Sequence, residues 1–191
     1  RNVKKYKQAI KRRINNEPLA KIFNEKNFWK YSFFVNEKVL DPRPETEIII
    51  EAVEKYFQEK EQKLKIIDLG TGSGCLAISL AKEYINSRII ATDISKDALD
   101  VAERNSFKLN CNKQISFVCC DWIDTIEIFD VIVTNPPYLT KEEYKNTNKD
   151  IKLYEPKIAL LGGEDGLFYF RKLAYIMPKI VDYNSFCFIE L

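Results

Sequence analysis

A short apolar run, a cluster of glycines and an apolar helical pattern follow one another directly between residues 64 and 82. Residues 64–69 have the length of a buried strand, and residues 75–82 are apolar at helical spacing. Between them lies the turn Gly70-Thr71-Gly72-Ser73-Gly74. Glycines allow a tight turn and let a ligand approach the backbone closely. A strand, a glycine turn and a helix open a nucleotide-binding βαβ unit, so the sequence predicts an α/β fold.

The spacing of these glycines differs from the G-x-G-x-x-G fingerprint of dinucleotide-binding proteins. Cys75 stands where that fingerprint has its third glycine, and Gly74 comes one residue earlier. A ligand without a pyrophosphate therefore fits this spacing better than NAD does. A tight turn that only connects the strand to the helix is the alternative interpretation.

The next two predicted strands also end in side chains that suit a nucleoside. The first ends in Asp93, about 20 residues past the glycines, where a carboxylate can accept hydrogen bonds from ribose hydroxyls. Capping of the following helix by Asp93 or Ser95 is the alternative. The second, residues 115–122, ends in Asp121 and Trp122. The carboxylate can accept from an adenine amino group and the indole can pack on the base, although a tryptophan is more often a core residue.

A fourth apolar run, residues 129–134, ends in Asn135-Pro136-Pro137-Tyr138. Both prolines lack an N–H and hold φ near about −65°, so the carbonyls of Asn135 and Pro136 join no helix and point outward as acceptors. Together with the Asn135 side-chain oxygen they suit a planar –NH2 group, whose flat face the Tyr138 ring can cover. The motif predicts a clamp for an amide or exocyclic amine nitrogen, and a proline-stiffened loop without a guest is the alternative.

These four segments follow successive strands at their carboxyl ends, where open α/β sheets bind ligands. With them, the chain resembles the class I S-adenosylmethionine-dependent methyltransferases, and more narrowly the protein-glutamine N5-methyltransferases that modify class 1 peptide chain release factors. Asp41 departs from the pattern of that family, which has an apolar residue there, and this affects packing beside the pocket. Further segments that carry the resemblance are Glu17-Pro18-Leu19-Ala20, Phe28-Trp29, Pro42-Arg43-Pro44-Glu45-Thr46-Glu47, Tyr154-Glu155-Pro156 and Gly162-Gly163-Glu164-Asp165-Gly166.

The resemblance implies a Rossmann-like methyltransferase sheet preceded by a helix and a β-hairpin linker. Residues 1–20 would end an N-terminal helical domain, residues 21–42 would form the linker, and residues 43–191 would form a catalytic domain without its C-terminal strands. Residues 28–40 are rich in aromatic and β-branched side chains on both sides of Asn36-Glu37, so we expect the hairpin to turn there.

The resemblance also implies an activity, namely methyl transfer from S-adenosyl-L-methionine to the side-chain amide nitrogen (N5) of the glutamine in the Gly-Gly-Gln motif of release factors. S-adenosyl-L-homocysteine would be the product. The alternative is a nucleic-acid amino-methyltransferase acting on adenine N6 or guanine N2, because the Asn-Pro-Pro-Tyr tetrad occurs there too. A binding module without transfer activity is a further alternative, which the intact tetrad disfavours.

Three sets of site residues follow from these expectations. The catalytic residues would be Asn135, Pro136 and Tyr138, and the substrate would be held by the same turn with Pro137. The cofactor-binding residues would be Gly70, Thr71, Gly72, Ser73, Gly74, Asp93, Trp122 and Asn135.

The roles of two further residues stay open. Asp68 either orients the glycine turn or reaches the cofactor ammonium, and Arg43 either approaches the cofactor or pairs with Glu45 or Glu47.

Composition narrows the chemistry further. The chain has no histidine, which excludes serine–histidine and cysteine–histidine catalysis, and its five cysteines form no C-x-x-C pair, so we expect no metal site. A net charge of +2 gives little support to direct nucleic-acid binding. No signal peptide and no apolar run of about 18 residues are visible, which favours a cytoplasmic protein without membrane contact. We expect one catalytic core and a monomer.

Overall fold

The computed structural model describes residues 2–123 and 125–191. Its helices are α1 (Asn2–Ile14), α2 (Leu19–Phe23), α3 (Glu47–Tyr56), α4 (Cys75–Glu83), α5 (Lys96–Lys108), α6 (Lys141–Asn146), α7 (Lys149–Tyr154) and α8 (Phe168–Ile180). Its strands are β1 (Lys26–Phe28), β2 (Tyr31–Phe33), β3 (Lys65–Leu69), β4 (Arg88–Asp93), β5 (Ile115–Cys119), β6 (Val131–Thr134) and β7 (Phe186–Ile189). Short 3-10 turns cover Pro44–Thr46 and Lys157–Ala159.

Five strands form one parallel sheet in the order β5-β4-β3-β6-β7. The chain runs outward from β3 to β5 and then returns to the other side of β3, so the strand order reverses between β3 and β6. Leu69 at the end of β3 lies beside Thr92 of β4 and Thr134 of β6. In open α/β sheets this reversal opens a crevice at the carboxyl ends of the strands. The predicted Rossmann-like α/β fold is confirmed.

The central strands are buried on both faces because helices cover both sides of the sheet. In β3, Ile66 packs with α4 in one core, and Ile67 packs with Leu173 and Ile176 of α8 in the other. Strands buried in this way read as continuous apolar runs rather than as an alternation, which is why residues 64–69 could be identified as a strand from the sequence.

A two-stranded antiparallel hairpin, β1 and β2, precedes the sheet within the predicted linker. The predicted turn at Asn36-Glu37 is wrong, because the chain reverses at Trp29 and Lys30, where Trp29 adopts a φ of 53°. Long-range contacts hold that conformation: the Trp29 backbone N–H donates to Glu47 Oε1 at 2.8 Å and its indole N–H donates to Glu83 Oε1 at 2.9 Å.

The third strand of the sheet is shorter than predicted. β5 ends at Cys119, and Trp122 lies beyond it with a φ of 69°.

Among the residues that the structure describes, no helix combines the length and the apolar character needed to cross a membrane.

Candidate functional site

The candidate site is a cavity of about 300 Å³ at the carboxyl edge of the parallel sheet. Its walls come from the loops after β3, β4, β5 and β6, together with segment 38–43 ahead of α3. A cavity of this size is at the lower end of the range for small-molecule and cofactor sites. The predicted residues that line it are Gly70, Thr71, Gly72, Ser73, Asp93, Trp122, Asn135, Pro136 and Pro137. The structure therefore brings all four predicted segments to one place.

The three glycines of the first turn have different surroundings. A Cβ added at Gly70 or at Gly72 would meet nothing within 4 Å, so both leave open space on the cavity side. A Cβ at Gly74 would lie 2.9 Å from Ile78 Cδ1 and 3.0 Å from Ala102 Cβ. Gly74 does not line the cavity. Gly74 therefore allows α4 and α5 to pack closely, and its predicted contact with the cofactor stays a prediction.

Asp68 is a fully buried carboxylate at the base of the glycine turn. Its Oδ2 accepts from the Thr71 hydroxyl at 2.6 Å and from the Ala77 backbone N–H at 3.1 Å. Burial raises the pKa of Asp68 to about 7, although these two donors act in the opposite direction. Oδ1 accepts no hydrogen bond from the described residues, and Asp68 lines the cavity. Asp68 therefore orients the glycine turn through Oδ2, and Oδ1 remains available to a hydrogen-bond donor in the cavity.

Asp93 connects the glycine turn to the loop after β4. Its Oδ2 accepts from the Gly72 N–H and its Oδ1 accepts from the Ser95 N–H, both at 2.9 Å. The cap of α5 is Ser95, whose hydroxyl accepts from the Ala98 N–H at 3.2 Å. Burial raises the pKa of Asp93. Each carboxylate oxygen can accept a further hydrogen bond, so Asp93 remains suited to two neighbouring hydroxyls.

The cavity is also lined by three residues of α8 that the sequence did not indicate, Phe168, Tyr169 and Lys172. Trp122 is buried, and its ring centroid lies 5.4 Å from that of Tyr169. The carboxylate of Asp121 forms an ion pair with Lys172 at the cavity rim. The indole therefore belongs to the core and to the cavity wall at once. The aromatic start of α8, with Phe168 and Tyr169 next to each other, was the available signal.

The segment Asn135-Pro136-Pro137-Tyr138, here called the clamp turn, leaves β6 at the cavity. Asn135 Nδ2 donates to the Thr46 hydroxyl oxygen at 3.0 Å, which turns Oδ1 away from Thr46. The backbone carbonyls of Asn135 and Pro136 accept no hydrogen bond from the residues that the structure describes. Three acceptor oxygens are thus unsatisfied in one short segment. Thr46 is a site residue that sequence reasoning missed, although it lies in the Arg43-Pro44-Glu45-Thr46 motif.

Tyr138 is the one member of the clamp turn that does not line the cavity. It is 44% exposed, and burial of the remainder raises the pKa of its phenol. Its predicted role as a cover over a bound amide stays a prediction.

A group of four charged side chains, three of them buried, lies at one wall of the cavity. The Lys21 ammonium lies 2.7 Å from Asp41 Oδ1 and 3.2 Å from Glu155 Oε2. Arg43, which lines the cavity, lies 3.1 Å from Glu155 Oε1. The predicted pairing of Arg43 with Glu45 or Glu47 is therefore wrong. Burial raises the pKa of Glu155, whereas Lys21 and Arg43 act in the opposite direction. Asp41, which departs from the family pattern, is compensated by a lysine.

Several known proteins are similar to this chain in sequence. Residues 37–153 match the family described as methyltransferase small domain. The chain is 36% identical to the release factor glutamine methyltransferase of Buchnera aphidicola subsp. Baizongia pistaciae, over 95% of this chain and 65% of the relative. It is 34% identical to the protein of the same name from Bacillus anthracis, over 97% of this chain and 67% of the relative. The chain thus spans about two thirds of the length of these curated relatives.

Solved structures share the fold. The catalytic domain of hMettl16, crystallised in complex with MAT2A 3'UTR hairpin 6, superposes with a TM-score of 0.59 at 18% identity, covering 75% of this chain and 55% of that one.

Proposed function

The chain belongs to the release factor glutamine methyltransferase family, and from this membership we propose that its protein transfers a methyl group from S-adenosyl-L-methionine to the side-chain amide nitrogen of a glutamine in a peptide chain release factor. The acceptor is the glutamine of the Gly-Gly-Gln motif. The observation that carries the proposal is the clamp turn at the cavity, in which Thr46 holds the Asn135 amide nitrogen and three oxygens accept no hydrogen bond from the described residues.

The residues present fit the cofactor. The empty space beside Gly70 and Gly72 accommodates a ligand against the backbone, as the methionine and ribose part requires. Asp93 suits the ribose hydroxyls, Trp122 suits the adenine, and the second oxygen of Asp68 suits the ammonium group. Once bound, S-adenosyl-L-methionine supplies an electrophilic methyl group on a sulfonium sulfur.

The task left to the protein is to make a poor nucleophile react. The lone pair of an amide nitrogen is delocalised into its carbonyl, and the chain has no histidine to serve as a general base. In our proposal, Asn135 Oδ1 and the Pro136 carbonyl accept hydrogen bonds from the two N–H groups of the substrate amide and orient its nitrogen. Alignment of this kind can supply roughly 7–11 kcal/mol of the barrier.

The same oxygens also stabilise the positive charge that develops on nitrogen, because acceptors fixed in a site without water respond without reorganising. Pro136 is buried, which keeps its carbonyl in such an environment. The amide proton becomes very acidic once the nitrogen is alkylated, so its loss needs no dedicated base, and it passes to solvent when the product leaves.

The direct test is mass spectrometry of release factors after incubation with the full protein and S-adenosyl-L-methionine. We expect one methyl group on the glutamine of Gly-Gly-Gln and none on a release factor whose glutamine is replaced by glutamate. Duplex DNA and ribosomal RNA are assayed in parallel. Methylation of either nucleic acid with no change in the release factor would reject the proposal in favour of a nucleic-acid amino-methyltransferase.

We propose that the enzyme acts as a monomer in the cytoplasm, where release factors meet the ribosome. Light scattering on the purified protein measures the oligomeric state, and a stable dimer would contradict this part of the proposal.

Cofactor affinity is expected to depend on the charge of Asp68. Its pKa is about 7 in the free protein, and an ammonium group beside it lowers that pKa, so binding favours the ionised form. Affinity for S-adenosyl-L-homocysteine should therefore fall as the pH is lowered below about 7, by up to roughly tenfold per unit. Calorimetric titrations between about pH 5.5 and pH 7.5 measure it.

The matched variant for this prediction is Asp68→Asn. Its side-chain oxygen can still accept from Thr71 and Ala77, so the brace survives while the charge is lost. We expect weaker binding that no longer changes with pH in this range. An unchanged pH profile in the variant would show that Asp68 is not the group responsible.

A further inference from the structure

The turn formed by residues 162–166, here called the supporting turn, runs directly beside the backbone that leaves the clamp turn. The Leu139 N–H donates to the Leu160 carbonyl at 2.9 Å, and the Gly162 N–H donates to the Leu139 carbonyl at 2.8 Å. Leu139 and Leu161 form a parallel bridge. The clamp turn is therefore held at both ends, by β6 before it and by this bridge after it.

Two glycines make the close approach possible. A Cβ added at Gly162 would lie 2.7 Å from the Pro137 carbonyl oxygen and 2.8 Å from Tyr138 Cα. A Cβ added at Gly166 would lie even closer to the Tyr138 carbonyl oxygen. These neighbours are backbone atoms, which cannot rotate aside as a flexible side chain does. A side chain at either glycine must therefore displace the clamp turn or the supporting turn.

The supporting turn also has contacts that do not involve the clamp turn, and the Phe168 N–H at the start of α8 donates to the Gly162 carbonyl at 3.0 Å. Asp165 Oδ1 accepts from the Leu167 N–H at 3.1 Å. The carboxylate also forms a bidentate pair with Arg171 of α8, from Nη1 to Oδ1 at 3.1 Å and from Nη2 to Oδ2 at 2.6 Å. On the other side, Glu164 pairs with Lys141 of α6. These contacts tie the supporting turn to two helices.

We propose that Gly162 and Gly166 are positioning residues for methyl transfer, because they set where the clamp turn lies relative to the cavity. This inference rests on the proposed function for its catalytic consequence. Neither glycine lines the cavity, so their effect on the reaction passes through the backbone of Pro137 and Tyr138.

Replacing Gly166 by alanine should lower kcat on the release factor about 100-fold, since a displacement of roughly 1 Å at a reacting group can cost that much. The dissociation constant of S-adenosyl-L-homocysteine should stay within about threefold, because the cofactor side of the cavity is untouched. Gly162→Ala should likewise lower kcat strongly and leave the affinity for S-adenosyl-L-homocysteine almost unchanged. Gly162 has no positive φ, so this variant adds the steric contact without backbone strain.

Gly163→Ala is the matched control. Gly163 and Gly166 both have a left-handed backbone, with φ of 97° and 77°. A Cβ at Gly163 would meet Phe168 Cβ at 2.9 Å and not the clamp turn. The control should lose a similar amount of thermal stability because its backbone conformation is strained in the same way. Its kcat should stay within about fivefold of the wild type, because the added Cβ does not meet the backbone of Pro137 or Tyr138.

Wild-type kcat in both Gly162→Ala and Gly166→Ala would overturn the inference, and so would an equal loss in Gly163→Ala. Crystal structures of the two variants provide a readout that is independent of activity, and a displaced clamp turn is the supporting result. If the wild type leaves release factors unmethylated, the proposed function fails. An unmoved clamp turn in the crystals would reject the positioning role separately.

Discussion

Replacing Asn135 by alanine is expected to lower kcat for release-factor methylation by roughly 100- to 1000-fold, the cost of removing one preorganised group that stabilises developing charge. The side-chain oxygen of Asn135 is one of three acceptors of the clamp turn, and its removal leaves one substrate N–H without a partner. Affinity for S-adenosyl-L-homocysteine should change by no more than several-fold. Single-turnover kinetics with labelled cofactor and calorimetry measure the two effects separately.

Substitutions at Thr46 test the same mechanism with a smaller expected effect, because Thr46 only holds the Asn135 amide in place. Thr46→Val removes the oxygen that accepts from Asn135 Nδ2, so the amide is free to rotate and to present its –NH2 group to the substrate. A loss of roughly fivefold is expected, because one hydrogen bond is worth about 1 kcal/mol. Thr46→Ser keeps the hydroxyl and should restore most of the rate. A normal rate in the Asn135 variant would reject the clamp mechanism.

Replacing Lys21 by methionine is expected to destabilise the fold by about 3–5 kcal/mol, the usual cost of leaving buried charges without their partner. The Lys21 side chain is 3% exposed and donates to the carbonyls of Asn36 and Val39 as well as facing two carboxylates. Without it, no cation among the described residues pairs with Asp41, and Glu155 keeps only its pair with Arg43. Urea unfolding followed by circular dichroism gives the change in free energy.

A second substitution tests whether the loss comes from the charge. In the variant Lys21→Met with Asp41→Leu, an apolar pair replaces the ion pair, and such replacements are often neutral or stabilising. Most of the lost stability should return. Lys38→Met is the exposed control, since the pair of Lys38 with Asp97 is exposed on both sides and should contribute little to stability. Equal effects of Lys21→Met and Lys38→Met would contradict the prediction.

The ion pair with Lys21 also explains how an aspartate can be buried at position 41. An aspartate at a buried position beside a cavity would be costly by itself. Here it faces an ammonium that the linker carbonyls also bind. The group joins α2, the segment ahead of α3 and the loop after α7, so the wall of the cavity that includes Arg43 depends on residues far apart in the chain.

The order of the strands and helices and the location of the site could be predicted because both are encoded locally. Apolar runs of strand length, each followed by a turn and a helical pattern, indicate a parallel sheet, and the carboxyl ends of parallel strands meet at one edge. Gly70, Asp93, Trp122 and Asn135 were therefore identifiable as neighbours from the sequence. The hairpin was predicted within the correct segment but with the wrong turn, because Glu47 and Glu83 hold Trp29 from outside that segment.

The chain by itself thus determined which residue types stand at each strand end and, through the strand–helix alternation, that they would converge on one cavity. Only the tertiary structure decided which distant side chains meet them: Thr46 at Asn135, Glu155 at Arg43, and the supporting turn beneath Tyr138. The physical reason is the range of the interactions. Turn chemistry and hydrophobic periodicity act over a few residues, whereas these pairings depend on how the helices and loops pack across the sheet, which no local pattern records.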